Sequence, residues 1–318
     1  MKYIIKKLLT LILTLFFISV LVFLIFQVIP GDPALSILGT EATEEQVEAL
    51  RKQLGLNDSM PERYFNWFTG VLTGDLGRSY RYQESLNEQM EVSRLIAGKL
   101  PVTLTLAGLS LLLIIIFSIP IGILWGGTKS RFIDGALNVL SQFTMSVPSF
   151  FLGIIIIYLF GLIMRWFTPG GYISYKEDFR GYIRYMLFPA ITVALPKAAM
   201  TAKFLRNSII TQLKSDYVRT AYSKGARRMR VLFVHVLRNA MIPVVTFIGV
   251  IAAEIAAGSI VVEQVFGLPG IGRLLVSSIS TRDYPVVQAL MLYIVSTSSC
   301  IRAALRSIPV SASWRRSG

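Results

Sequence analysis

Cysteine and histidine are almost missing from this chain, with one of each, Cys300 and His235, in 318 residues. A single cysteine excludes an internal disulfide. A lone histidine with no cysteine or second histidine near it makes neither a metal site nor an acid–base centre. Charge is scarce too: Asp, Glu, Lys and Arg make up 16% of the residues, against about 25% in an ordinary soluble domain. No G-x-x-x-x-G-K occurs, so the chain has no phosphate cradle of its own for ATP. No paired catalytic groups stand in the apolar runs. The sequence therefore assigns no catalytic, metal or cofactor residue, and it shows no repeat or low-complexity tract.

What is present is apolar. Hydrophobic residues are 53% of the chain, and several runs reach about 20 residues, the length that crosses a ~30 Å hydrocarbon core. A transmembrane barrel would need many short alternating segments, and none appear. The fold class is all-α and polytopic. Six spans are expected: about 8–29, 101–125, 132–164, 187–205, 240–262, and one starting near Pro285. The first is closed by Pro30-Gly31-Asp32-Pro33. Its apolar core is about 22 residues with no A-x-A site after it, longer than the 7–15 of a signal peptide, and it reads as an uncleaved span. Pro148 splits the third region into a helix to about Met145 and another from about Ser149.

The formal charge of +14 is not spread evenly. Lys203 to Arg238 holds nine Lys/Arg against the single acid Asp216, which between apolar spans marks a cytoplasmic loop and not a nucleic-acid surface. Residues 30–100 hold eleven acids and seven bases, which suits the outer side. The resulting scheme places both termini in the cytoplasm; the mildly basic 165–186 loop fits it least. Within 30–100, apolar positions Val47, Leu50 and Leu54 predict one helix, and Tyr64, Trp67, Phe68 and Val71 share the face of another. Together they read as a small external cap lying on the membrane.

The basic loop carries an arrangement that positive charge alone does not require. Ser215 or Asp216 can cap a helix beginning at Tyr217, Gly225 supplies a turn, and Arg227, Arg228 and Arg230 lead back to the membrane. Small side chains at Thr220 and Ala221 let a partner's backbone come close. The candidate coupling residues are Asp216, Tyr217, Arg219, Thr220, Ala221, Lys224 and Gly225. Glu254 is expected about midway along the fifth span, where an ionised carboxylate costs roughly 2.5–3.5 kcal/mol on insertion scales. It is either a cavity-lining residue or a protonated or paired interhelical glutamate. Glu254, Gly258 and Glu263 form the candidate translocation path. Gly249, Ala253 and Ala257 recur every fourth residue and permit close helix packing. The Gly267-Leu268-Pro269-Gly270 turn is either an outer gate element or a structural re-entrant turn.

The run Asp216-Tyr217-Val218-Arg219-Thr220-Ala221 with Lys224-Gly225, and Ile242-Pro243-Val244 after it, resembles the E-A-A-x-x-x-G region of ABC importer permeases. So do Ile29-Pro30-Gly31-Asp32-Pro33, Gly74-Asp75-Leu76-Gly77-Arg78-Ser79, the 262–273 segment around Phe266-Gly267-Leu268-Pro269-Gly270, and Arg282-Asp283-Tyr284. These motifs are similar to the B-type permease subunit of oligopeptide and dipeptide importers, over about residues 1–295. The resemblance implies a type I ABC importer permease fold in a bacterial or archaeal cytoplasmic membrane. It implies a second homologous permease, two cytoplasmic ATPase subunits that bind the ATP, and an extracytoplasmic substrate-binding protein. It implies short peptides as cargo. Nickel or oligosaccharide import on the same architecture, or an ion-coupled secondary transporter with Glu254 as its only intramembrane acid, are the other readings.

By the same resemblance, residues 1–94 form the first span and external elaboration, 95–295 the permease core with its coupling loop at 206–238, and 296–318 an aberrant tail. Arg219 stands where the broader family has Glu. The run Ser296-Thr297-Ser298-Ser299-Cys300-Ile301-Arg302 departs from the apolar ending of the family, as a shifted reading frame would. A shortened sixth span is expected, with residues beyond about 306 disordered.

Overall fold

The computed structural model describes residues 2–28, 32–39, 42–85, 88–256 and 259–307. The chain divides into two compact units, one from residues up to 103 with 269–299, the other from 104–268 with the residues after 299. Residues 269–299, assigned to the core by sequence, thus group with the N-terminal part.

In the first unit, helix α1 (Lys2–Val28) is 27 residues long, about 40 Å at 1.5 Å per residue and enough to cross a bilayer. Asp32 does more than stop it. Its carboxylate accepts from the Ala34 amide at 2.9 Å, capping α2 (Pro33–Leu38), and takes an ion pair from Arg51 at 2.6 Å. Arg51 lies on α3 (Glu44–Gln53), which begins with a capping box between Thr43 and Gln46. The aromatic face expected on α4 (Met60–Thr73) packs on α1: Tyr64 lies edge-on to Phe23 at 5.3 Å, and its hydroxyl meets that of Ser19 at 2.9 Å.

The all-α expectation misses one feature, an antiparallel hairpin of β1 (Arg78–Ser85) and β2 (Glu88–Glu91). Tyr80 and Tyr82 alternate there with Arg81 and Gln83, a strand-favouring pattern too short to stand out beside the spans. The hairpin is locked to the corner between α13 (Ile271–Ser280) and α14 (Tyr284–Ser307). Ser79 donates its hydroxyl to the Asp283 carboxylate, whose other oxygen accepts the Tyr80 amide at 3.0 Å. Ser79 and Asp283 are both fully buried. Burial pushes the Asp283 carboxyl above its ordinary value, opposed by these hydrogen bonds. Two motifs about two hundred residues apart in sequence therefore form one contact.

The sixth span is not cut short at the serine run. Helix α14 continues through Ser296–Ser299 to Ser307, and the Ser298 hydroxyl bonds back to the Val295 carbonyl at 3.1 Å. Hydroxyls satisfied this way stay inside a helix. The tail beyond residue 307 lies outside the described residues.

The second unit holds most of the membrane helices. Helix α5 (Val92–Gly127) enters it at residue 104 and approaches α8 (Phe179–Leu213) closely. A Cβ on Gly122 or Gly126 would come within 2.9 Å of Leu205 or Ile209, a G-x-x-x-G contact that sequence reading passed over. The third span breaks where Pro148 required. Helix α6 (Arg131–Ser146) and the segment Ser149–Ile163, which starts as α7 (Ser149–Ile156), meet at 94°. Val147 before the proline is extended. Near the turn preceding α6, Arg206 grips Asp134 through two nitrogens at 2.6–3.0 Å, and the Trp125 indole N–H donates to the same carboxylate at 2.7 Å.

The fifth span is displaced from its expected place. Its helical segment runs Arg228–Ala256, with a π-helical stretch at Val231–Val236 between α10 (Arg228–Arg230) and α11 (Leu237–Ala256). After Ala256 the described chain resumes as α12 (Ile260–Phe266), tied to α8 by the Tyr185 hydroxyl donating to the Phe266 carbonyl at 2.8 Å. Gly267 then turns the chain with φ 68°. Among the described residues, and apart from α1 with its shorter apolar stretch Ile12–Ile25, four helices are long and apolar enough to cross a membrane, or up to six if each bent pair is one span.

Candidate coupling face and intramembrane cavity

Helix α9 (Asp216–Ser223) stands between α8 and α10 as a short bridge. Ser215 takes the cap position in extended conformation, φ −76° and ψ 150°, although its hydroxyl makes no capping bond. The helix ends as the glycine demands: Gly225 has φ 78°, its amide donates to the Tyr222 carbonyl at 2.9 Å, and the Ala226 amide donates to Ala221 at 3.1 Å. This crossed pair is the Schellman closure, which needs a left-handed residue at its centre. The loop proper is shorter than 206–238. Basic side chains do not stop a helix, so α8 runs on to Leu213 and α10 starts at Arg228.

One face of α9 is anchored. Val218 is 1% exposed and sits in an apolar cluster with Leu205, Ile209, Val231, Val236 and Ala240, with Tyr217 and Ala221 packed against it. The Tyr217 hydroxyl donates to Gln212 at 2.8 Å. The other face is displayed. The side chains of Asp216 and Arg219 are 98% and 83% exposed, and Thr220, Tyr222, Ser223, Lys224 and Gly225 are exposed as well. The two small residues thus have different reasons to be small. Ala221 is small because it packs inward; Thr220 alone offers a low outer surface. Arg228, beyond the turn, donates to the Gly127 carbonyl at the end of α5. The bridge is therefore held at both ends by the membrane helices.

The second feature is a cavity of about 480 Å³ whose lining includes Val147, Ser149, Val193, Lys197, Glu254 and Ser259. Its two charged lining residues form an ion pair, the Lys197 ammonium lying 2.7 Å from the Glu254 carboxylate. Glu254 was expected as the sole acid of the spans; its partner Lys197 comes from the fourth. The signal was available: Lys197 follows Pro196 inside the expected fourth span. Glu254 lies on α11, which is described as far as Ala256. Glu254 lines this cavity and is paired with Lys197. Of the other path candidates, Glu263 is fully buried and is not part of this lining. Gly258 lies outside the described residues. Of the small face on α11, Ala253 is buried, and Ala257 lies outside the described residues.

The helix–turn stands displayed between membrane helices, and the chain has no nucleotide cradle. Comparison with known proteins gives the family. Residues 118–308 match the family described as binding-protein-dependent transport system inner membrane component. Residues 1–107 match the N-terminal part of such membrane components.

The chain belongs to this family.

It is a membrane-spanning transport component of the ABC type, and its match continues to residue 308, past the serine run. A probable peptide ABC transporter permease of Sinorhizobium fredii is 35% identical over 92% of this chain and 91% of its own length. A putative peptide transport system permease of Brucella abortus is 37% identical over 87% and 86%. The glutathione transport system permease GsiC of Escherichia coli is 38% identical over 91% and 90%. Membership of a binding-protein-dependent family implies a complex with ATPase and substrate-binding subunits, and it sets aside the ion-coupled secondary transporter.

Proposed function

We propose that this chain is one of two homologous permease subunits of an importer of short peptides, working in the cytoplasmic membrane of a bacterium or archaeon with both termini inside. Two ATPase subunits on the inner face bind and hydrolyse the ATP, and an extracytoplasmic binding protein delivers the peptide. Peptide and glutathione transport in the names of the similar permeases supports the cargo, glutathione being a short peptide itself. The observation that carries the mechanism is the division of α9 between an anchored face, at Val218 and Ala221, and a displayed face, at Asp216, Arg219 and Thr220.

ATPase closure would push on the displayed face. Because Val218 ties α9 to α8, the Val231–Val236 stretch and α11, the push moves those helices instead of folding the loop. In this way α9 acts as a lever on the membrane path, and the chain itself breaks no bond.

Two substitutions test this. Gly225→Val forces a branched residue into a left-handed conformation, and Thr220→Glu adds bulk and charge to the displayed face. Both variants are expected to insert and assemble, yet to lose at least tenfold in ATP-driven uptake. Full uptake and full substrate-stimulated ATP hydrolysis in inserted complexes would contradict the lever.

A further inference from the structure

An ion pair between two membrane helices is a poor stabilising device. Removing both charges from water costs about as much as their attraction returns. A pair kept only for packing would be enclosed. Here the Glu254 side chain is 68% exposed while bonded to Lys197, itself 23% exposed. Both line the cavity, and the neighbouring lining residues are aliphatic apart from Ser149 and Ser259. The cavity's volume of about 480 Å³ falls in the ordinary range for small-ligand sites. The carboxylate therefore has free acceptor positions aimed at an open volume, next to a fixed ammonium.

We propose that the Lys197–Glu254 pair is the site in this subunit that meets the charged ends of a peptide in transit, Glu254 taking the substrate ammonium and Lys197 its carboxylate. The inference rests on the peptide-importer reading above. Its physical basis is exchange. A short peptide at neutral pH carries one ammonium and one carboxylate, and bringing both into the membrane uncompensated would be costly. Opening the protein pair while forming two similar pairs with the substrate leaves the number of satisfied charges balanced. A transport path needs that balance, because a site that bound more tightly would not release. When the peptide leaves, Lys197 and Glu254 re-form their bond and the path closes behind it.

The test uses the assembled transporter in proteoliposomes, with its binding protein and unmodified dialanine as probe. Glu254→Gln and Lys197→Gln are expected to lower uptake per assembled complex at least fivefold. The charge-exchanged double variant Lys197→Glu/Glu254→Lys separates contact from packing. It restores an interhelical ion pair, so assembly and thermal midpoint should return to those of the wild type. Uptake should stay low, because each charge now stands on the wrong helix for the arriving peptide. Recovery of uptake along with assembly would overturn the proposal and make the pair structural. A loss of assembly in the single variants with normal uptake per complex would do the same and point to the partner permease as the covering surface. Normal dialanine uptake by Glu254→Gln overturns this proposal alone; no uptake of any peptide by the wild type overturns the importer reading and this proposal together.

Discussion

Two regions of this chain bring charge and polar groups to the protein in opposite ways. At the hairpin corner, Ser79 and Asp283 are fully buried and bonded to each other, with the Tyr80 amide on the same carboxylate. At helix α9, apolar Val218 is the buried residue and the charged Asp216 and Arg219 stand almost wholly in solvent. In the first region polarity is consumed in holding the fold, so a polar motif there reads as architecture. In the second, the fold is held by aliphatic packing and the polar side chains are left exposed. Motif strength in the sequence does not distinguish the two, since Gly-Arg-Ser and Arg-Asp-Tyr look as functional as Arg-Thr-Ala. Burial does.

The largest effect that would break this contrast is at Asp283. Its replacement by Ala leaves the Ser79 hydroxyl and Tyr80 amide without their acceptor, at a cost of about 2–4 kcal/mol. The thermal midpoint of the purified complex is expected to fall clearly, while ATPase stimulation per folded complex is kept. Next comes Val218→Ala. Loss of two methyls from a packed cluster costs about 1–2 kcal/mol, and here the loss is expected to appear mainly as weaker coupling of ATP hydrolysis to uptake. If Val218→Ala lowers only the thermal midpoint, the anchored face is not a lever.

The smallest effect concerns alkaline pH. Burial pushes the Tyr80 phenol up to about 12 from an ordinary value of 10.0. A phenol with a raised folded-state value favours folding fully below its unfolded value, and that contribution is lost as pH rises from about 10 through 12. The midpoint should therefore fall over this window, and Tyr80→Phe should flatten part of the fall. An identical pH profile in Tyr80→Phe would mean that the hairpin is not the source.

Much of this was legible in the sequence for physical reasons. Apolar length gave the spans, Pro148 the break in the third, and Gly225 the turn, because each constrains the backbone locally. Val47 and the Tyr64–Phe68 face gave α3 and α4 through helical spacing. What escaped depends on partners distant in sequence. Lys197 was hidden because one lysine hardly lowers the apolar character of a span, and only the fold shows that it meets Glu254. The hairpin was hidden because its stability comes from Asp283 and not from its own alternation. The serine run misled because polarity in a helix was read as an end, whereas Ser298 satisfies itself on the Val295 carbonyl. Ala221 packs against the cluster around Val218, a contact that its small size alone did not announce.

The most direct measurement exploits the scarcity of cysteine. With Cys300→Ser as background, single cysteines at Thr220 and Ala221 are compared for crosslinking to lysines of the ATPase subunits of the assembled transporter, with a short linker that reacts with a thiol at one end and an amine at the other. Thr220→Cys is expected to crosslink efficiently and to change its yield between nucleotide-free and ATP-bound states, while Ala221→Cys, one residue on but facing the apolar cluster, gives little product. Equal crosslinking from both positions, or none from Thr220→Cys in a complex that still transports, would contradict the assignment of α9 as a lever with one anchored and one displayed face.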